Sequence, residues 1–403
     1  MPQTSLRALP SPMIKTETRR FLSPYDARLP LSTEEIYSPG LEGVVAGETA
    51  ISTLAGGLHY RGYSIEELAN HAEFEEVAWL LLRGDLPKPA ELAAFRERLA
   101  VGSAVPREIF AFLKSVPKDA SPMDVLRTGT SALAHWDPDV ADNSPEANFR
   151  KAERLLAQTS VLIGAFQRIR EGHEPLLPSA SRSLAGNLMY MLTGKEPTPR
   201  MTKAMDVSLI LYAEHEFNAS TFTARVVCST LSDLHSSIVA AIGALKGPLH
   251  GGANERVLEV LESVGSAEKA DAWVRDMLAR KQKIMGFGHR VYKTGDPRAT
   301  YLKTLCGELA VETGHTDMEK MADIIEGVVT REKKLPPNLD WPSARLYHYM
   351  GLKVDLFTPL FVASRVVGWS AHVLEQLSAN RLIRPRSRYN GVGHRPWKGR
   401  DER

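Results

Sequence analysis

Cysteine is almost missing from this chain of 403 residues, which holds only Cys228 and Cys306. Two thiols in apolar helical patterns, neither in a C-x-x-C pair, build no disulfide framework and read as core thiols of a reducing compartment. Long hydrophobic runs are lacking too. None approaches the roughly 18 to 20 residues a membrane helix needs, so no membrane partner is expected. No charged start followed by an apolar stretch opens the chain, so no secretory leader is expected. Residues 1–16 hold Arg7, Lys15 and several Ser and Pro, and read as a disordered or strap-like arm. Excess charge of one sign is absent: the net charge is +2, and no global field points to nucleic acid or an anionic membrane. Strand signal is scarce, confined to Val44–Leu54 and Leu58–Tyr63 around Gly56-Gly57, a short N-terminal β-hairpin. Without internal repeats or β-α-β alternation, a doubly wound nucleotide fold is disfavoured.

What the chain does have is helix punctuation. Ser64 and Glu67 form a capping box ahead of Ile65–Asn70, and Phe74–Arg83 ends at Gly84. Ser121-Pro122 and Thr198-Pro199 place a cap and a first-turn proline before Met123–Ala134 and Arg200–Glu214. Helical periodicity continues over Glu146–Gly172, Ser181–Leu192, Ser220–Ala244, Ala253–Ser263, Ala267–Gln282, Pro297–Glu312, Met318–Lys333 and Thr358–Ser378. With 43% hydrophobic and 24% charged residues, the fold class is mainly α and globular.

Three irregular breaks interrupt these helices, and each carries His or Asp. His250 stands in Gly247-Pro248-Leu249-His250-Gly251-Gly252 ahead of a helix. Helix N-terminal N–H groups disfavour imidazolium and favour a neutral donor toward a developing oxyanion; a loop histidine in a glycine turn is the plainer reading. The second break, Gly286-Phe287-Gly288-His289-Arg290-Val291-Tyr292-Lys293 followed by Asp296-Pro297-Arg298, sets flexible backbone and positive charge around one histidine. That composition suits carboxylates and phosphates. Asp340 follows Asn338 in the third break, where a helix N-cap is the ordinary role. Arg365 sits inside the apolar pattern Leu356–Leu374, and a buried guanidinium implies an anionic partner, from the protein or a substrate. The histidines lack metal-site spacing such as H-E-x-x-H.

Taken in order, Gly247–Glu255, Gly286–Arg298, Asn338–Asp340 and Ser364–Trp369 resemble the active-site segments of citrate synthases. The likeness runs from about Gly40 to Arg386. It implies a large helical domain (1–251 and 352–403) with an inserted smaller helical domain (252–351), closing over oxaloacetate. By the same resemblance His250, His289 and Asp340 match the catalytic triad. His215, Arg298 and Arg365 match oxaloacetate-binding positions, and Arg384 matches an arginine lent across a homodimer. Gly286, Phe287, Gly288, Lys293 and Lys334 fall where coenzyme A is contacted. The implied reaction joins an acyl-CoA to oxaloacetate in the cytoplasm, with the thioester as substrate and no cofactor or metal. Acetyl-CoA is the first choice and propionyl-CoA, giving 2-methylcitrate, the alternative, because Trp341-Pro342-Ser343-Ala344-Arg345-Leu346-Tyr347 departs from the aromatic-Tyr-Ser-Gly of many members. Two non-enzymatic alternatives are an inactive homologue and a polyanion-binding protein using the tail Arg381, Arg384, Arg386, Arg388, Arg395, Lys398, Arg400 and Arg403.

Overall fold

A computed structural model describes residues 37–288, 292 and 295–403. The chain divides into a unit ending at Glu48 and a unit spanning Thr49–Arg403. In the first, the described residues form a single 3-10 turn at Pro39–Leu41.

The second unit opens with a small antiparallel sheet of β1 (Ser52–Thr53), β2 (His59–Tyr60) and β3 (Tyr63–Ser64). The expected short hairpin is thus three two-residue strands, and residues 44–51 are not strand. β2 and β3 turn through Arg61 and Gly62, both at positive φ, the conformation a two-residue hairpin turn requires.

Sixteen α-helices follow among the described residues. They are α1 (Ile65–His71), α2 (Phe74–Arg83), α3 (Pro89–Gly102), α4 (Arg107–Ser115), α5 (Pro122–Leu133), α6 (Pro145–Arg170), α7 (Leu184–Thr193) and α8 (Pro199–Tyr212). Then come α9 (Ala219–Cys228), α10 (Leu234–Leu245), α11 (Ala253–Val264), α12 (Ala267–Ala279), α13 (Pro297–Thr313), α14 (Thr316–Lys333), α15 (Asp340–Tyr349) and α16 (Phe357–Ser378).

The caps work as the sequence predicts at Ser64 and Thr198, whose hydroxyls accept from the N–H of Glu67 and Met201. Ser121 starts α5 without a side-chain bond. The continuous helix expected over Ser220–Ala244 is instead two. Leu231 takes a positive φ, and Asp233 caps a new helix by accepting from the N–H of Ser236 at 2.9 Å. No Gly or Pro marks that break. Periodicity also passed over α3, α4 and α15.

Two helices are buried almost throughout and organise the rest. α6 packs against α3, α5, α7 and α16, and α16 against α2, α6, α8, α9 and α10. Helices α11 to α15 pack mainly on one another, while α13 also touches α1 and α8. Both cysteines are buried, and burial pushes each thiol up to about 12.

α16 approaches the segment after α8 so closely that only Gly368 fits there. A methyl at that position would overlap the carbonyl oxygen of Ala213 and the carboxyl of Glu214. Gly368→Ala should therefore destabilise the protein by roughly 1–3 kcal/mol, the usual cost of overpacking. Gly327→Ala, in α14 with no atom within 4 Å of the new methyl, should be neutral or raise stability by about 0.5–1 kcal/mol. Denaturant unfolding of both variants checks the pair, and equal stability at position 368 would contradict the contact.

Candidate active site

The last four carbonyls of any helix lack intrahelical donors, and those of α8 are met by side chains from three distant segments. Leu209 O accepts from Ser364 Oγ, and Ile210 O accepts from the Tyr60 hydroxyl at 3.2 Å. Leu211 O lies 3.4 Å from an Arg298 terminal nitrogen, and Tyr212 O accepts from Arg365 Nε at 2.6 Å. A helix C-terminus carries partial negative charge, so it favours cations. Two buried guanidiniums are thereby drawn to one point.

The two are unequally satisfied. Arg298 makes a two-pronged pair with Asp296, at 2.9 and 2.8 Å. Asp296 also accepts the N–H groups of Arg298 and Leu339. Arg365, 2% exposed, uses only Nε. Its terminal nitrogens have no hydrogen-bond partner among the described residues, and burial pushes it down to about 10 despite the nearby charge of Glu214. A buried, under-satisfied guanidinium is an anion site.

Glu214 is itself enclosed, yet its carboxyl is held below the usual range. Burial alone would raise it; His372, Arg365 and Ser52 outweigh that. Arg225 can only donate, so His372 Nδ1 accepts from it at 3.0 Å. Nε2 then carries the proton and donates to Glu214 at 2.9 Å. β1 and β2 fix the same segment. Ser52 Oγ donates to Glu214 and accepts from the Glu216 N–H, while the Tyr60 hydroxyl shares its one proton between Glu214 O at 2.9 Å and Ile210 O at 3.2 Å.

The chain then passes through residues 213–218 into α9, whose N-terminal N–H groups face the other way. Asn218 caps it through Thr221 N, and the free N–H of Ser220 donates to His250 Nε2 at 3.3 Å. With that N–H as donor, Nε2 is read as the lone-pair nitrogen and Nδ1, which has no acceptor among the described residues, as the protonated one. Ser220 Oγ lies 2.8 Å from the same nitrogen and accepts from Trp369. Burial, then the charge of Arg365, pushes His250 down to about 4. The sequence set His250 beside the start of α11, but the helix start whose N–H meets its ring is that of α9.

Asp340 is the first residue of α15; Leu339 occupies the N-cap position. Its Oδ1 accepts from the Tyr212 hydroxyl at 3.0 Å, leaving Oδ2 without a partner among the described residues. The residue as a whole is half-buried, and burial of the carboxyl raises it to about 6, against the lowering effects of Tyr212 and Arg298. Phe361 gathers these groups. Its ring centroid lies 4.5 Å from that of Tyr212, 6.2 Å from that of His250 and 4.7 Å from the Arg365 guanidinium carbon.

His215 bonds the Tyr292 hydroxyl at 3.2 Å, and the same ring lies 5.7 Å from the Arg298 guanidinium. The backbone around Gly286–Gly288 is clasped to Pro336–Asn338: Asn338 N donates to Gly286 O, Gly288 N to Pro336 O, and Asn338 Nδ2 to Gly288 O. Gly286 takes φ +91°, and a methyl there would stand 2.8 Å from the Trp341 ring. Phe287 packs on Trp341 at 4.6 Å. Lys334 is exposed at the left-handed end of α14, and Arg384 lies exposed beyond α16. His289 and Lys293 lie outside the described residues. The structure thus gathers His250, Asp340, Arg365, Arg298 and His215, and adds Tyr212, Ser220, Asp296 and Phe361, which motif reading did not select.

A neutral imidazole and an unfilled guanidinium at one aromatic ring, with a carboxyl of raised proton affinity joined through Tyr212, are the groups that acid–base chemistry beside an anion would use. Comparison with known proteins narrows that class. The profile of the citrate synthase C-terminal domain matches residues 40–386. Citrate synthase 2 of Bacillus subtilis is 49% identical over 366 residues, covering 90% of this chain and 98% of the relative. The 2-methylcitrate synthase of Shewanella oneidensis is 44% identical over 366 residues, covering 90% and 97%. Among solved structures, the ternary complex of Thermoplasma acidophilum citrate synthase with carboxymethyl coenzyme A and oxaloacetate superposes with a TM-score of 0.85. That match has 34% identity and covers 92% of this chain and 100% of the other. The chain belongs to the citrate synthase family, and so to the acyltransferases.

The raised carboxyl of Asp340 has a stability consequence. Below the unfolded value of about 3.9 the group is protonated in both states. Between there and about 6 only the folded protein keeps the proton, so its contribution falls as pH rises. Above pH 6 the enclosed carboxylate costs on the order of 2–3 kcal/mol. Asp340→Asn should therefore unfold at higher denaturant than wild type at pH 8 and match it near pH 4. An equal difference at both pH values would contradict the assigned environment.

Proposed function

We propose that the protein condenses acetyl-CoA with oxaloacetate and water to citrate and coenzyme A, the step that admits acetyl units to the tricarboxylic acid cycle. The observation that carries this reading is that Phe361 packs on Tyr212, His250 and the unfilled Arg365, while the Tyr212 hydroxyl holds Asp340 Oδ1 and leaves Oδ2 without a partner among the described residues.

The α-proton of a thioester is weakly acidic, so its removal needs a base and an oxyanion donor together. Asp340 takes that proton while His250, neutral throughout, donates to the thioester oxygen as the enol forms. His289 is assigned, from family resemblance, to polarise the oxaloacetate carbonyl and protonate the new alkoxide. Arg365, Arg298 and His215 hold the carboxylates of oxaloacetate. Water then releases coenzyme A. The reading needs no metal or cofactor beyond the thioester substrate. Gly286, Phe287 and Gly288, with Lys293 and Lys334, are assigned to coenzyme A.

Residues 252–351 are proposed to close as a smaller domain over the larger one, excluding water before the thioester is cleaved. Arg384 is proposed to complete the site of a second copy. Its exposed setting and the full exposure of Leu249 beside His250 support a homodimer. No helix among the described residues is long and apolar enough to cross a membrane, and the cytoplasm is the proposed location.

Propionyl-CoA, giving 2-methylcitrate, is the second reading, because the segment Trp341–Tyr347 departs from the pattern of many members and 2-methylcitrate synthases stand among the relatives. Ser343 Oγ lies 2.7 Å from the Tyr212 hydroxyl, while Arg345 turns away to Glu319. One methylene changes binding by only about 1–3 kcal/mol. Coenzyme A release with oxaloacetate decides between them: higher kcat/KM with acetyl-CoA supports the first reading, and higher kcat/KM with propionyl-CoA replaces it. His250→Ala should cost about 3 kcal/mol of transition-state stabilisation, near a hundredfold in rate. A near-native rate would remove His250 from its role.

A further inference from the structure

Tyr212 contacts the proposed base, yet the reaction scheme gives it no part. We propose that Tyr212 is the positioning residue of Asp340: its hydroxyl, fixed by Ser343, holds Oδ1 and so aims Oδ2 at the α-carbon of the thioester. The inference rests on the reading of Asp340 as the base.

A phenol has one proton to give, and two acceptors compete for it here, Asp340 Oδ1 at 3.0 Å and Ser343 Oγ at 2.7 Å. A charge-assisted bond to a carboxylate is the stronger, so the phenol donates to Asp340. Ser343 lies three residues on in the same helix and can return its own proton to the phenol oxygen or to Asp340 O, 3.3 Å away. The donor is anchored at both ends. Its backbone carbonyl is held by Arg365 Nε, and its ring packs on Phe361. Such double fixation lets a hydroxyl orient a carboxylate rather than follow it.

Among the described residues, the charged and titratable groups that act on Asp340 are few. Tyr212 comes from α8, Arg298 and Asp296 from the start of α13, and Tyr347 from α15 itself. α11, packed on α15, supplies none among the described residues. Arg298 is tied to Asp296, so much of its charge is answered before it reaches Asp340. Tyr212 is the one hydrogen-bond donor to the carboxylate among these groups, and burial keeps its hydroxyl protonated far above neutrality. Removing it leaves burial less opposed, and Asp340 holds its proton more tightly.

The test is the pH profile of kcat for coenzyme A release with oxaloacetate, for wild type and Tyr212→Phe. The acid limb of the variant should move up by about one pH unit, roughly tenfold in rate on the acid side. Ser343→Ala, which leaves the ring in place, should move it the same way by less. A loss by one constant factor at every pH, or an unchanged profile, overturns the positioning role. If Tyr212→Phe does not fold by circular dichroism, an unmoved limb in Ser343→Ala overturns it. Wild-type protein that releases no coenzyme A contradicts the parent reading, and the proposal falls with it; an active wild type with unmoved limbs sinks the proposal alone.

Discussion

Of the four last peptide carbonyls of α8, only Ile210 O finds a backbone donor, the Ala213 N–H at 3.3 Å, and all four lie in buried residues. Leaving any of them bare costs free energy comparable to a lost hydrogen bond. The fold answers with Ser364, Tyr60, Arg298 and Arg365. These come from α16, β2 and α13, so satisfying one helix end ties three remote segments together. Because the helix end is partly negative, two of the donors are guanidiniums. A structural requirement of the backbone thus places the positive charge on which the proposed oxaloacetate site relies.

The loop that follows carries the opposite polarity. At α9 the free N–H of Ser220 faces His250, and imidazolium cannot accept that bond. Within residues 212–220 one helix end collects cations and the next keeps a histidine neutral. Asp340 reaches this centre through Tyr212, the last residue of α8. A raised carboxyl is not by itself the mark of such a centre. Asp206, pushed up to about 7 by burial, accepts the N–H of Phe74 and caps α2, a structural role. Asp340 differs in its neighbours: its donor is the Tyr212 side chain rather than a helix-start N–H, and the charges of Arg298 and Asp296 act on it.

Much of this was legible in the sequence, for identifiable reasons. Caps and first-turn prolines marked α1, α5 and α8, because their signals are local. Arg365 stood out because a guanidinium in an apolar helix needs an anion wherever the helix lies. The break at Ser229–Asp233 was hidden because Leu231 adopts positive φ without a glycine, and α15 because Trp341-Pro342 reads as a loop. Tyr212 and Ser220 stand in the same short segment as His215. Their roles depend on α15 and the loop at His250, which no local pattern brings near. Phe361 and Tyr60 look like ordinary core residues. Only packing shows that one gathers the reactive groups and the other closes a helix end. The trio of His250, His289 and Asp340 came from family resemblance, with geometry available for two of the three.

The central claim is that helix-end chemistry fixes His250 as a neutral donor through Nδ1. Nitrogen-15 NMR of histidine-labelled protein, with His250→Ala for assignment, measures it directly. The account predicts an Nδ1–H tautomer at pH 6 that begins to charge only as pH falls toward 4. An Nε2–H tautomer, or an imidazolium at pH 6, would contradict it.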